Sequence, residues 1–123
     1  HVGSLKAPEE MKPGYLTEAA DIWKVGGLIF SVLTGLLPYY NELHHAKAAG
    51  DDASTEIDDK IEAGIPPFLD PRYKTRSFIE GRLVNIMEQC YRKNPEDRVS
   101  IFDVVQFIQR TKRQYYAGDR EES

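Results

Sequence analysis

The chain has 123 residues, 41% hydrophobic and 29% charged, which suits one globular domain with a core and excludes disorder throughout. Its formal charge of −4 argues against a nucleic-acid or anionic-membrane surface, since both demand clustered Lys and Arg. The lone cysteine, Cys90, cannot close an internal disulfide, and the chain contains neither a signal peptide nor a membrane-spanning run.

Residues 1–16 hold two prolines, two glycines and little periodicity, so they read as an ordered loop. The first residue is His1 rather than Met and no strand-forming region precedes the helices, which suggests a piece of a longer protein. Thr17 is suited to cap a helix whose first turn is acidic. The run 21–40 follows, and from Val25 to Leu37 only Ser31 and Thr34 interrupt an apolar and glycine sequence. A helix that is apolar on every side predicts a position sheathed by the rest of the domain. It falls well short of the roughly 20 apolar residues a membrane requires. Gly26 and Gly27 each cost about 1 kcal/mol against Ala inside a helix. Either another backbone passes close to them, or this is an ordinary core helix that tolerates two glycines. Gly35 supplies the stop, with Pro38 beyond it.

Residues 41–60 turn polar, and Asp51, Asp52, Glu56, Asp58 and Asp59 form an acidic cluster. Short helices are expected at about 42–49 and 56–63, separated by Gly50, in a solvated surface insertion. The spacing of a calcium loop is absent, and the adjacent His44 and His45 would point about 100° apart on a helix, as surface residues. A loop over 64–77 leads to an amphipathic helix from Phe78, whose stripe is Ile79, Leu83, Ile86, Met87 and Cys90. On that stripe Cys90 reads as a buried, inert thiol. Pro95 breaks the pattern, and Ser100 with Asp103 forms a capping box opening a last helix. Ile101, Val104, Val105 and Ile108 are its expected buried face, with fraying after Arg110. With no repeat and no convincing strand, the fold class is all-α.

The residues themselves show no active site. Neither G-x-x-x-x-G-K-[ST] nor G-x-G-x-x-G occurs, no histidine lies near a Ser or Cys partner in sequence, and no two carboxylates are spaced as an acid/base pair. One ordered set is more specific: Ala7-Pro8-Glu9, Asp21-Ile22-Trp23-x-Val25-Gly26, Thr34-Gly35-x-x-Pro38-Tyr39, Cys90, and Asn94-Pro95-Glu96-Asp97-Arg98. Together these resemble the C-terminal part of a eukaryotic protein kinase domain, with residues 1–116 as the partial domain and 117–123 as a polar tail.

The resemblance implies the lower part of a kinase large lobe, with helices packed around one buried central helix. Glu9 would be the acid of the A-P-E motif, ion-paired with Arg98 in a buried, bidentate contact. Asp21 would hold the backbone of the catalytic loop from below, and Trp23 and Gly26 would be packing positions. Residues 61–67 match Ile-x-x-Gly-x-x-Pro in the substrate-side region. Val2 and Leu5 fall at substrate-pocket positions where active kinases carry Thr or Pro and then Tyr or Trp, and Val99 follows Arg98 where Pro is usual.

By the same resemblance, the intact protein would transfer phosphoryl from ATP to protein hydroxyls, with a preference for Ser/Thr. ATP and Mg belong to the intact domain; the fragment has no catalytic residue, cofactor or metal site of its own, and the ATP site and catalytic loop would lie N-terminal to His1. The implied partners are a protein substrate or protein partner, with no nucleic acid and no membrane insertion, at an intracellular, cytoplasmic location. Val2 and Leu5 motivate an alternative, a pseudokinase or protein-binding scaffold without catalysis. A third reading, a stand-alone helical adaptor, expects Glu9 and Arg98 exposed and far apart. The acidic stretch 51–62 would suit a basic partner.

Overall fold

The structure, a computed structural model, describes residues 6–11, 17–50 and 52–118. Five α-helices follow one another: α1 (Glu18–Thr34), α2 (Tyr40–Ala48), α3 (Ala53–Glu62), α4 (Phe78–Cys90) and α5 (Ile101–Tyr116). Short 3-10 turns at Pro8–Met11, Pro71–Lys74 and Pro95–Asp97 complete the order, and no strand occurs among the described residues. The chain is all-α, as its pattern predicts.

Local chemistry sets the helix ends. The Thr17 hydroxyl accepts from the Ala20 amide at 3.2 Å, filling one of the orphan donors of the first turn. Gly35 sits at φ 75° and donates its amide to the Ser31 carbonyl, a left-handed stop that disfavours a Cβ. At α5 the capping box closes in both directions, Asp103 N to Ser100 Oγ at 3.0 Å and Ser100 N to Asp103 Oδ2 at 3.3 Å.

α1 is the central helix, and it packs most extensively against α4. Its buried side chains, Ile22, Trp23, Ile29 and Phe30, meet Ile86, Met87 and Cys90 of α4, Ile57 and Ile61 of α3, and Val104 of α5 in one core. Each such burial contributes roughly 1.5–3 kcal/mol. Trp23 and Tyr91 meet edge to face, ring centroids 4.7 Å apart. A Cβ on Gly26 would lie 3.1 Å from Cys90 Cβ and 3.3 Å from the Tyr91 ring, so it is side chains at the C-terminal end of α4, rather than a backbone, that press on that glycine. Tyr39 adopts a left-handed φ of 66° and donates its hydroxyl to the Ile65 carbonyl at 2.5 Å, tying the turn after α1 to the segment after α3.

The expectations need correction in four places. Burial of α1 is one-sided: Leu28 and Val32 are 64% and 69% exposed, because the other helices of the chain cover only the opposite face. Residues 41–60 are not simply a solvated insertion; Ala46, Ala53 and Ile57 are buried, as is Ile61 just beyond, since α2 and α3 pair and turn one side into the core. On α5 the inward face is Val104, half-buried Phe107 and Thr111, while Ile101, Val105 and Ile108 are exposed. That helix carries two apolar stripes, and α4 covers only one. Nor does α5 fray after Arg110. Thr111 and half-buried Tyr115 extend the inner stripe, and the helix runs to Tyr116.

Candidate functional site

The most constrained polar cluster in the fold is built on Arg98, just after the Pro95–Asp97 turn. Asn94 shapes that turn by accepting from the Glu96 amide at 3.0 Å, and the chain then leaves Arg98 in extended backbone. The guanidinium grips Glu9 with both arms, Nη1 to Oε2 at 2.6 Å and Nη2 to Oε1 at 2.8 Å. Its remaining hydrogens go to carbonyls: Nη1 to Ala19 at 2.9 Å, Nη2 to Lys93 at 3.0 Å and Nε to Arg92 at 2.8 Å. An arginine has five N–H donors, and here all five are used. Its side chain is fully buried and that of Glu9 is 9% exposed. The guanidinium also lies 5.2 Å from the Trp23 ring centroid, adding a cation–π contact.

Burial by itself would raise the Glu9 carboxyl above its ordinary 4.5. The Arg98 hydrogen bonds, a backbone hydrogen bond and the charges of Arg98 and Lys24 outweigh it, so the pKa is lowered. The Pro8–Met11 turn is held separately, by Ala7 N to Glu10 Oε1 at 2.9 Å and Lys24 Nζ to Glu10 Oε2 at 3.3 Å. One buried group thus joins the start of the described chain, the first turn of α1, the end of α4 and the turn before α5. A pair buried on this scale holds segments in register; it has no open face on which to do chemistry.

Glu9 and Arg98 are therefore buried together, against the helical-adaptor expectation. Asp21 is elsewhere in character: its side chain is 76% exposed on the first turn of α1, 3.7 Å from Lys24 Nζ. Asp21 and Arg98 both line a cleft of about 500 Å³ between the beginnings of α1 and α5. Val2 and Leu5 lie outside the described residues, as does Asp51 of the acidic cluster. Cys90 is fully buried and its thiol is pushed up to about 11, consistent with an inert packing role. Among the described residues no group of three or more His, Cys, Asp or Glu could hold a metal ion. No described helix is long and apolar enough to cross a membrane.

Sequence reasoning missed the three carbonyls on Arg98 and the Lys24–Glu10 pair. Backbone acceptors carry no sequence signal. The position of Lys24, one turn after Asp21, hinted only at a local pair.

No protein-family model matches the chain. Among curated proteins it is 32% identical over 107 residues to Pollen receptor-like kinase 1 of Petunia integrifolia, covering 85% of this chain and 15% of that protein. It is 27% identical over 120 residues to Pollen receptor-like kinase 4 of Arabidopsis thaliana, covering 94% and 18%. With Calcium/calmodulin-regulated receptor-like kinase 2 of Arabidopsis thaliana it shares 28% over 120 residues, 92% of this chain and 26% of that one. The chain thus spans between 15% and 26% of the length of these relatives. Among solved structures, the twitchin kinase region from C. elegans superposes with a TM-score of 0.64 at 18% identity, over 85% of this chain and 16% of that one, a likeness of fold.

Proposed function

On the premise that the chain is the C-terminal part of a protein kinase domain, related to receptor-like kinases, we propose that it forms the structural base of a domain that phosphorylates protein hydroxyls. The buried Glu9–Arg98 pair, closed across 89 residues of sequence, carries this reading. It fixes the end of the segment that would present substrate to the catalytic loop. Lining a single stripe on α1, exposed Asp21, half-buried Val25 and exposed Leu28 and Val32 offer a polar anchor followed by an apolar seat. In the proposed domain Asp21 holds the catalytic-loop backbone and the apolar residues pack beneath it. Residues 40–75 form the protein-docking side, and the preference is for Ser/Thr substrates in the cytoplasm.

In the proposed domain ATP and Mg would be held by parts that lie outside these residues.

Phosphoryl transfer from Mg-ATP to a protein substrate by the full-length protein tests the proposal. Asp21→Ala should lower the rate at least about tenfold, as expected when a residue that positions the catalytic loop is removed. A wild-type protein that transfers no phosphate would refute the proposal and leave a scaffold. An Asp21→Ala rate equal to wild type would remove the anchor role.

A further inference from the structure

Three buried side-chain polar atoms among the described residues have no hydrogen-bond partner: Arg82 Nε, Thr111 Oγ1 and Gln114 Oε1. All three belong to α4 and α5, the last two a single turn apart on α5. An orphaned buried group is destabilising, and two of these, on Arg82 and Thr111, share one cleft, which marks a place where something else completes the structure. Arg82 and Thr111 line a cleft of about 290 Å³ between these helices, whose apolar walls include Ile79, Leu83, Phe107 and Ile108. Thr111 is 7% exposed.

The surroundings state what would fit. Arg82 stacks on Phe107 at 4.7 Å, yet neither it nor Lys112, which also lines the cleft, makes an ion pair among the described residues. The adjoining Arg110 and Arg113 are exposed. An apolar cleft with an unneutralised basic rim favours an apolar group carried beside a carboxylate. The apolar surface also continues past the cleft, along exposed Ile108, Val105 and Ile101. Seven residues of helix cover about 10 Å, more than one small amphiphile in the cleft would reach.

We propose that this face of α4 and α5 docks an acidic, apolar segment of a partner protein. One large apolar side chain fills the cleft, a neighbouring carboxylate meets Arg82 and Lys112, and further apolar residues lie along Ile108, Val105 and Ile101. A polar group of the segment completes Thr111. This docking is independent of the kinase reading.

The probe is a fluorescein-labelled helical peptide with leucines at helical spacing and glutamates between them, titrated with the full-length protein by anisotropy. Its twin carries glutamine for every glutamate. Saturable binding is expected, about tenfold weaker for the twin and for Arg82→Gln, and lost in Ile108→Ser. Thr111→Val separates docking from folding. If the hydroxyl is satisfied only by the partner, this variant melts at a higher temperature than wild type and binds the peptide less tightly. No saturable binding, equal binding of the twin, indifference to Arg82→Gln and Ile108→Ser, or a lowered melting temperature for Thr111→Val would each overturn the proposal. Displacement of bound peptide by octanoate at equal affinity would do so too, because a free amphiphile would then suffice.

Discussion

Replacing Arg98 by Met keeps a long apolar side chain over Trp23 and removes every charged contact of the cluster. Glu9 is left 9% exposed without its partner, and the Ala19, Arg92 and Lys93 carbonyls lose their donors. Breaking a buried pair from one side costs about 3–5 kcal/mol. A cost of about 4 kcal/mol is a large share of the 5–15 kcal/mol typical of a domain, and for this chain length it lowers the melting temperature by on the order of 15 °C. Urea unfolding can be followed by the fluorescence of Trp23, the sole tryptophan, whose ring centroid is 5.2 Å from the guanidinium carbon. In the double variant Glu9→Leu with Arg98→Met, no charge remains buried, and the loss should fall well below the sum of the singles, a coupling of at least about 2 kcal/mol.

The pH dependence follows from the sign of the Glu9 shift. Its folded pKa lies below 4.5, so its stabilisation is full above that value and is lost as pH falls through the folded pKa. In Arg98→Met burial acts with its main opponent gone, the pKa rises, and acid relieves the variant by neutralising Glu9. The gap between wild type and variant therefore narrows on acidification. Asp70, held down to about 2 by Arg72, and Glu80, lowered by Arg76, lie away from this cluster, titrate alike in both proteins and cancel in the difference. A cost under about 1 kcal/mol, additive single variants, or a gap that widens toward acid would refute the buried-lock argument.

Gly26→Ala sets about 1 kcal/mol of helix propensity against overpacking on Cys90 and Tyr91, which costs about 1–3 kcal/mol; thermal melts should show net destabilisation. Ser100→Ala removes the hydroxyl that accepts from the Asp103 amide, while the Ser100 amide can still donate to Asp103, and should cost about 1 kcal/mol, read as a lower urea midpoint with unchanged slope. Cys90 should resist a thiol reagent at pH 8 in the folded chain and react fully in urea, since its thiol is buried and pushed up to about 11.

What could be read in advance was whatever is settled within a few residues. The Thr17 cap, the Gly35 stop, and the Ser100 and Asp103 box are each decided by a side chain and a backbone group no more than one turn away, so composition and order suffice. The kinase resemblance also named Glu9 and Arg98 as partners, because an ordered set of motifs carries information that no single residue does. The five-donor closure of Arg98 was not legible, since it depends on carbonyls of Ala19, Arg92 and Lys93 that any residue could supply.

Sequence alone determined that there are helices, where α1, α4 and α5 start, and that the run after Asp21 forms the centre; α2 and α3 begin two and three residues earlier than expected. Tertiary structure decided which way they face. α5 has two apolar stripes of comparable quality, and only the position of α4, supplied from elsewhere in the chain, selected Val104, Phe107 and Thr111 for the inside and left Ile101, Val105 and Ile108 in water. The same holds for Leu28 and Val32 on α1. Hydrophobicity states that a surface gains by being covered, and only the arrangement of neighbours states whether a cover is there.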